Sequence, residues 1–226
     1  MDKNKVLCVA VHPDDETLGC GGTLLKHKAN GDEIYWLLLT GMPINVPEEV
    51  MDDKTKYRKA LMQTINESYR FDGIEYLAFP PTSMHTLDLK DIISKLSEVF
   101  NTIQPNIIYT MFANDVHSDH RVAFDAVYSC TKSFRYPFIE KIYMMETLSE
   151  TEFALSVPAK TFIPNVFVDI TNFINEKLAI MEKYPKQLME APYPRSLSSI
   201  KALARVRGSR AGVMYAEAFQ LLYEKL

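Results

Sequence analysis

The residues Val6-Leu7-Cys8-Val9-Ala10-Val11, running into His12-Pro13-Asp14-Asp15-Glu16-Thr17-Leu18-Gly19-Cys20-Gly21-Gly22-Thr23-Leu24, are the stretch from which the fold can be read. The first six are a continuous apolar run of β-favouring residues, the pattern of a strand buried on both faces. His12-Pro13-Asp14-Asp15 stops that run. A helix is then expected from about Glu16 to Ala29, ended by Asn30-Gly31. Glu33 to Leu39 is a second apolar strand. A strand, a helix and a strand in so short a span make a βαβ unit, whose crossover forces the two strands to pair in parallel.

The same alternation continues along the chain. Expected helices cover Lys54 to Tyr69, Leu89 to Ile103, Val122 to Thr131 and Ile170 to Lys183, the last capped by Thr171, with a further one over Arg195 to Arg207. Expected strands cover Ile74 to Phe79, Ile107 to Thr110, Lys141 to Met145 and Val166 to Asp169. The spacing of Ile92, Ile93, Leu96, Val99, Phe100 and Ile103 gives the third helix one apolar face. No repeat or linker interrupts the 226 residues. The expectation is a single α/β domain over residues 1–226, Rossmann-like, with a mostly parallel sheet flanked by helices.

Composition narrows the function. With 47% hydrophobic and 24% charged residues the chain reads as a soluble globular protein. A net charge of −4 argues against a nucleic-acid-binding surface, which needs a basic patch. Arg205, Arg207 and Arg210 are expected on a solvated face. Three cysteines without paired spacing make no disulfide framework, and Cys8 and Cys20 are expected as buried thiols. No apolar run is long enough to span a bilayer, and the short run before His12 is no signal peptide, so a cytoplasmic location is expected.

Two clusters carry the chemistry. His12-Pro13-Asp14-Asp15-Glu16 follows the first strand, and His117-Ser118-Asp119-His120 follows the strand Ile107 to Thr110. Ligands of open parallel sheets bind beyond the carboxyl ends of the strands, so both clusters fall on one rim. Taken alone, the first could be a turn and the second a helix cap. Together they offer imidazoles and carboxylates enough to hold a divalent metal, zinc above all, with groups to spare for proton transfer and oxyanion stabilisation. Gly19, Gly21 and Gly22 imitate part of a dinucleotide fingerprint, but the full spacing is missing and acidic residues stand where a pyrophosphate would sit. His27 and His85 are expected at the surface, and Glu16 in a structural role at the helix start.

The run from His12 to Leu24 resembles the signature of the LmbE-like, or PIG-L, family of zinc-dependent de-N-acetylases. His117-Ser118-Asp119-His120-Arg121 resembles the family's second motif, with Ser118 where proline is usual. Weaker agreement continues through Val168-Asp169-Ile170 with Lys177, Tyr184-Pro185-Lys186-Gln187, Arg207-Gly208 and Tyr215 to Phe219. The resemblance implies an LmbE-like deacetylase fold and a Zn2+ or other divalent ion held by His12, Asp15 and His120. It also implies Asp14 as general base, His117 as oxyanion stabiliser or acid, Asp119 as the residue orienting His117, and Arg58 as a substrate contact. The implied reaction removes an N-acetyl group from an N-acetylated amino sugar or its conjugate. The alternatives are hydrolysis of another amide or ester and, in a different class, a sugar- or metal-binding module without catalysis. Retention of Asp14 and His117 beside the implied ligands speaks against the last.

Overall fold

The computed structural model describes residues 3–43, 47, 49 and 51–226; part of the expected loop from Thr40 to Asp53 lies outside them. Seven strands form one sheet: β1 (Lys5–Ala10), β2 (Glu33–Thr40), β3 (Gly73–Phe79), β4 (Ile107–Thr110), β5 (Lys141–Met145), β6 (Val166–Asp169) and β7 (Ala216–Glu224). Six helices pack around it: α1 (Asp15–Ala29), α2 (Asp53–Tyr69), α3 (Leu89–Ile103), α4 (Ser118–Ser129), α5 (Ile174–Met181) and α6 (Leu197–Ala211). The strand order is β3-β2-β1-β4-β5-β7-β6, parallel from β3 to β5. Strand β7 runs antiparallel to both of its neighbours.

The core follows from the apolar runs. Val6 to Val11 are wholly buried, as are Ile34, Trp36 and Leu37 to Leu39; α3 contributes Ile92, Leu96, Val99, Phe100 and Ile103 to the same cluster. Strand order reverses between β1 and β4, so the chain leaves these adjacent strands toward opposite sides of the sheet. The crevice at such a switch point is where a ligand can reach backbone and side chains beyond both strand ends.

Helix α1 is broken at Cys20, whose φ/ψ of −145°/19° is not helical. The glycines around the break are needed for close approach. A Cβ on Gly21 would lie 2.5 Å from the Tyr69 hydroxyl, and one on Gly22 would lie 2.8 Å from Ile170. The amides freed by the break, Gly22 N–H and Thr23 N–H, donate to the Glu217 carboxylate at 2.9 and 2.7 Å. Glu217 is in turn paired at 2.6 Å with Lys177 Nζ, which also donates to the Leu18 carbonyl. This buried network fixes the turn of α1 that follows the first acidic cluster. The thiols of Cys8 and Cys20 are free and buried, with their sulfurs 3.4 Å apart.

Several boundaries differ from expectation. Helix α4 begins at Ser118 rather than Val122, because the His117 side chain caps it by accepting the Asp119 N–H. Helix α5 begins at Ile174 rather than Ile170. Asp169 Oδ1 accepts both the amide and the hydroxyl of Thr171, which holds 169–173 as a turn and takes Thr171 out of the capping position. Helix α6 runs on to Ala211 and stops at Gly212, whose φ is 72°. Strand β7 was not expected at all.

Two surface assignments are corrected. Arg207 is half-buried and makes a two-pronged ion pair with Glu146, with Nε 2.8 Å from Oε2. His27 is not solvated: its ring bridges Asp32 Oδ2 at 2.6 Å and the Tyr109 hydroxyl at 3.0 Å, a tertiary contact that a lysine-flanked histidine does not advertise. Burial outweighs the Asp32 contact and lowers the His27 pKa below its ordinary 6.5. The folded state therefore binds this proton more weakly than the unfolded chain does. Its contribution to stability is complete above about pH 6.5 and is lost as pH falls toward the lower, folded value. The stability gap between wild type and His27→Gln should shrink on going from pH 7.5 to 5.5, read from urea midpoints at each pH. A gap independent of pH would mean that His27 is not held neutral.

Candidate metal centre

The turn after β1 and the start of α1 place His12, Asp14 and Asp15 at the carboxyl edge of the sheet, and the loop after β4 with the first turn of α4 brings Asp115, His117, Asp119 and His120 against them. The three imidazoles cluster: ring centroids are 4.6 Å apart for His12 and His117, 5.4 Å for His12 and His120, and 5.5 Å for His117 and His120. All six residues assigned by the sequence motifs to the metal or to catalysis lie in this one crevice.

Among the described residues, two groups of three can close around an ion, each with donor atoms within 4.8 Å of one another: His12, Asp15 and His120, and His12, His117 and Asp119. Their hydrogen bonds separate them. In the second group both Asp119 oxygens are taken, by the Thr82 N–H at 2.6 Å and the Met84 N–H at 3.1 Å, and His117 Nδ1 accepts the Asp119 N–H at 3.1 Å. In the first group His120 is wholly buried, and its Nε2 has no hydrogen-bond partner. That nitrogen points at Asp15 Oδ2, 3.4 Å away. An orphaned buried nitrogen facing a carboxylate costs free energy unless a cation completes it. The first group fits a zinc-like ion by this measure and by its nitrogen and oxygen donors.

The neighbours of these residues complete the arrangement. His120 Nδ1 lies 2.9 Å from Asp115 Oδ2, and Asp115 Oδ1 accepts the Thr151 hydroxyl at 2.7 Å. With Nδ1 donating its proton, Nε2 presents a lone pair to the crevice. Burial alone would lower the His120 pKa, but the Asp15 charge and the bond to Asp115 outweigh it and raise it well above the ordinary value. Burial would raise Asp15; the His120 charge and contact, then His12, outweigh that and hold it below the usual carboxylate range. The pocket thus has a negative field that favours a cation. Asp15 Oδ2 also accepts the N–H groups of Val11 and His12 at 3.0 and 2.7 Å, which locks its orientation.

Asp14 behaves differently. Its backbone is held at φ 122°, its carboxyl is buried, and its Oδ2 has no hydrogen-bond partner. Burial, then the charges of Asp15 and Glu16, raise its pKa well above the usual carboxylate value, opposed by Arg195, whose Nη1 is 3.7 Å away. Glu16 is wholly buried with its oxygens engaged by the Tyr184 hydroxyl at 2.6 Å, the Thr17 hydroxyl at 2.6 Å and the Asp14 N–H at 3.2 Å. It is occupied in supporting the turn. The His117 pKa is lowered, first by burial and then by His12, so its ring is neutral near pH 7. Because Nδ1 accepts a backbone amide, the proton of the neutral ring sits on Nε2.

Among the described residues no hydrogen bond joins the Asp119 carboxylate to the His117 ring; the carboxylate holds the 82–84 segment and lies 3.5 Å from His12 Nε2. Its link to His117 is through its own backbone N–H. Arg58 lines the crevice together with Pro13, Gln187 and Arg195, around a cavity of about 250 Å³ that includes His12, Asp14, Asp15 and His117. Sequence reasoning missed Asp115, Thr151 and Arg195. A carboxylate five residues before a buried histidine was the only signal for Asp115; Thr151 and Arg195 come from distant loops and leave none. His85 is exposed, outside the crevice.

Among known proteins, a family model described as PIG-L, GlcNAc-PI de-N-acetylase, matches residues 7–131. The chain is 24% identical over 232 residues to diacetylchitobiose deacetylase of Thermococcus kodakarensis, covering 98% of this chain and 84% of that protein. The structure of N,N'-diacetylchitobiose deacetylase from Pyrococcus horikoshii superposes with a TM-score of 0.76 at 20% identity, covering 98% of this chain and 85% of that one. GalB, the 4-carboxy-2-hydroxymuconate hydratase from Pseudomonas putida, shares the fold with a TM-score of 0.75 at 17% identity, covering 99% and 98%.

Proposed function

The chain belongs to the PIG-L family of GlcNAc-PI de-N-acetylases, and from that membership we propose that residues 1–226 form one deacetylase unit that removes an acetyl group from the nitrogen of an N-acetylated amino sugar or its conjugate. The observation that carries the metal-dependent form of this reading is the unpartnered, buried His120 Nε2 facing Asp15, beside an unpartnered Asp14 Oδ2. His12, Asp15 and His120 would hold a divalent ion, with zinc the best fit. Such an ion lowers the pKa of a bound water to about 7 and polarises a carbonyl.

The remaining steps belong to the chain's own side chains. Asp14, its pKa raised above the usual carboxylate value by burial, accepts the proton of the attacking water at its free Oδ2. His117 Nε2–H donates to the acetamide oxygen as negative charge develops there, and a neutral ring is the form that can do so without a charge already paired elsewhere. The proton held at Asp14 then passes to the departing amine. Arg195 keeps Asp14 within reach of ionisation, and Arg58 contacts the sugar. Asp115 fixes the His120 tautomer, with Thr151 behind it.

The hydratase that shares this fold makes the reaction, not the scaffold, the thing to test. Metal-loaded protein incubated with N-acetylated sugars should release acetate, and His117→Ala should lower kcat by roughly two to three powers of ten with little change in KM or metal content. Failure to release acetate from any N-acetylated sugar would sink the reading. Release of the metal by His117→Ala would instead make His117 a ligand.

Asp115→Ala should weaken metal binding by about 10–100-fold, the usual cost of losing the partner of a ligating histidine, while leaving the fold intact. Competition with a chromogenic chelator measures it. Unaltered affinity would remove Asp115 from the site's support.

A further inference from the structure

The catalytic crevice does not end at Arg58. It continues into a second cavity of about 270 Å³, and the two share Pro13, Arg58, Pro81 and Gln187 as common walls. Lys54, Arg58 and Leu61, with Tyr57 beside them, face this groove from α2, at the i, i+3, i+4 and i+7 spacing that lines up one side of a helix. Lys186 enters from the opposite wall, its ammonium 4.1 Å from the centre of the Tyr57 ring. Three cations therefore line one groove in a chain whose net charge is −4, and among the described residues no carboxylate lines it.

None of these cations is in an ion pair among the described residues, whereas the other arginine of the catalytic crevice, Arg195, lies against Asp14. Arg58 Nη1 is buried with no hydrogen-bond partner. An unpartnered guanidinium nitrogen at the junction of two cavities is costly unless a ligand oxygen completes it. Loose ammonium groups beyond it create a positive field at the far end of the crevice, where the part of a substrate remote from its acetyl group must lie.

Resting on the deacetylase reading for the acetyl end alone, we propose that this groove receives an anionic substituent of the sugar, a phosphate or a carboxylate, and that Lys54 and Lys186 select for it. Arg58 stands between the two cavities and contacts both parts of the substrate. Neutral N-acetylated sugars would fill the catalytic crevice and leave the groove unused.

Binding of deacetylated sugars to the metal-loaded protein tests this without turnover. By calorimetry at low salt, glucosamine 1-phosphate or muramic acid should bind about tenfold more tightly than glucosamine, the effect of one charge-assisted contact, and the advantage should fade as salt is added. Whichever of the two shows it identifies the anion. The advantage should vanish in a Lys54→Gln, Lys186→Gln double variant whose affinity for glucosamine is unchanged. Equal affinities for all three sugars would overturn the proposal. So would an advantage that survives in the double variant, since Lys54 and Lys186 would then not be what selects the anion. Protein that prefers the anionic sugars yet releases no acetate from their N-acetyl forms would keep the groove and defeat the deacetylase reading. Acetate release without any anionic preference would do the reverse.

Discussion

Asp14→Asn is expected to lower kcat by about two to four powers of ten, the range for removal of a general base or acid, while metal content and thermal stability stay close to wild type. The substitution keeps the volume and backbone of a residue held at φ 122°, a conformation that asparagine tolerates better than most. What it removes is the ability of Oδ2 to accept a proton. The oxygen has no hydrogen-bond partner, so no existing contact compensates for the change, and the burial that raises the carboxyl pKa is wasted on an amide. Metal analysis beside steady-state kinetics reads both halves. A near-normal rate with normal metal would move the base elsewhere, and Glu16, whose oxygens are already engaged, would be a poor replacement.

His120→Ala is expected to strip the metal and all metal-dependent turnover with it. The loss of affinity should exceed the roughly 10–100-fold expected when only an outer partner is lost, since one of three protein ligands is gone. The residue is wholly buried, and its removal also leaves the Asp115 carboxylate without its imidazole, so part of any loss could come from local collapse. His120→Gln separates the two effects: it can still donate to Asp115 but offers a poor metal ligand, and it should fold like wild type while binding little metal. Metal-to-protein ratios after dialysis decide it. Wild-type occupancy in either variant would transfer the ligand role to the alternative group of His12, His117 and Asp119.

Much of this protein is legible in its sequence because the relevant signals are local. The apolar runs at Val6–Val11 and Glu33–Leu39 need two buried faces wherever they sit, so the βαβ start and the parallel sheet follow from hydrophobic burial alone. That His12 to Glu16 and His117 to His120 would share a rim followed from each closing a parallel strand, and the crevice between β1 and β4 bears this out. The tertiary structure alone decided what depends on partners distant in the chain. Strand β7 has mixed burial and little alternation to announce it, and its place is fixed by pairing with β5 and β6. His27 looks solvated beside two lysines, yet the chain folds Asp32 and Tyr109 onto it. Hydrophobic pattern and spacing do not distinguish the two possible ligand triads around His12, and only the motif resemblance favours His12, Asp15 and His120. What the folded arrangement adds is which groups are already hydrogen-bonded: both Asp119 oxygens and His117 Nδ1 accept amides, whereas His120 Nε2 has no partner, and hydrogen-bond saturation is not a property of the motif.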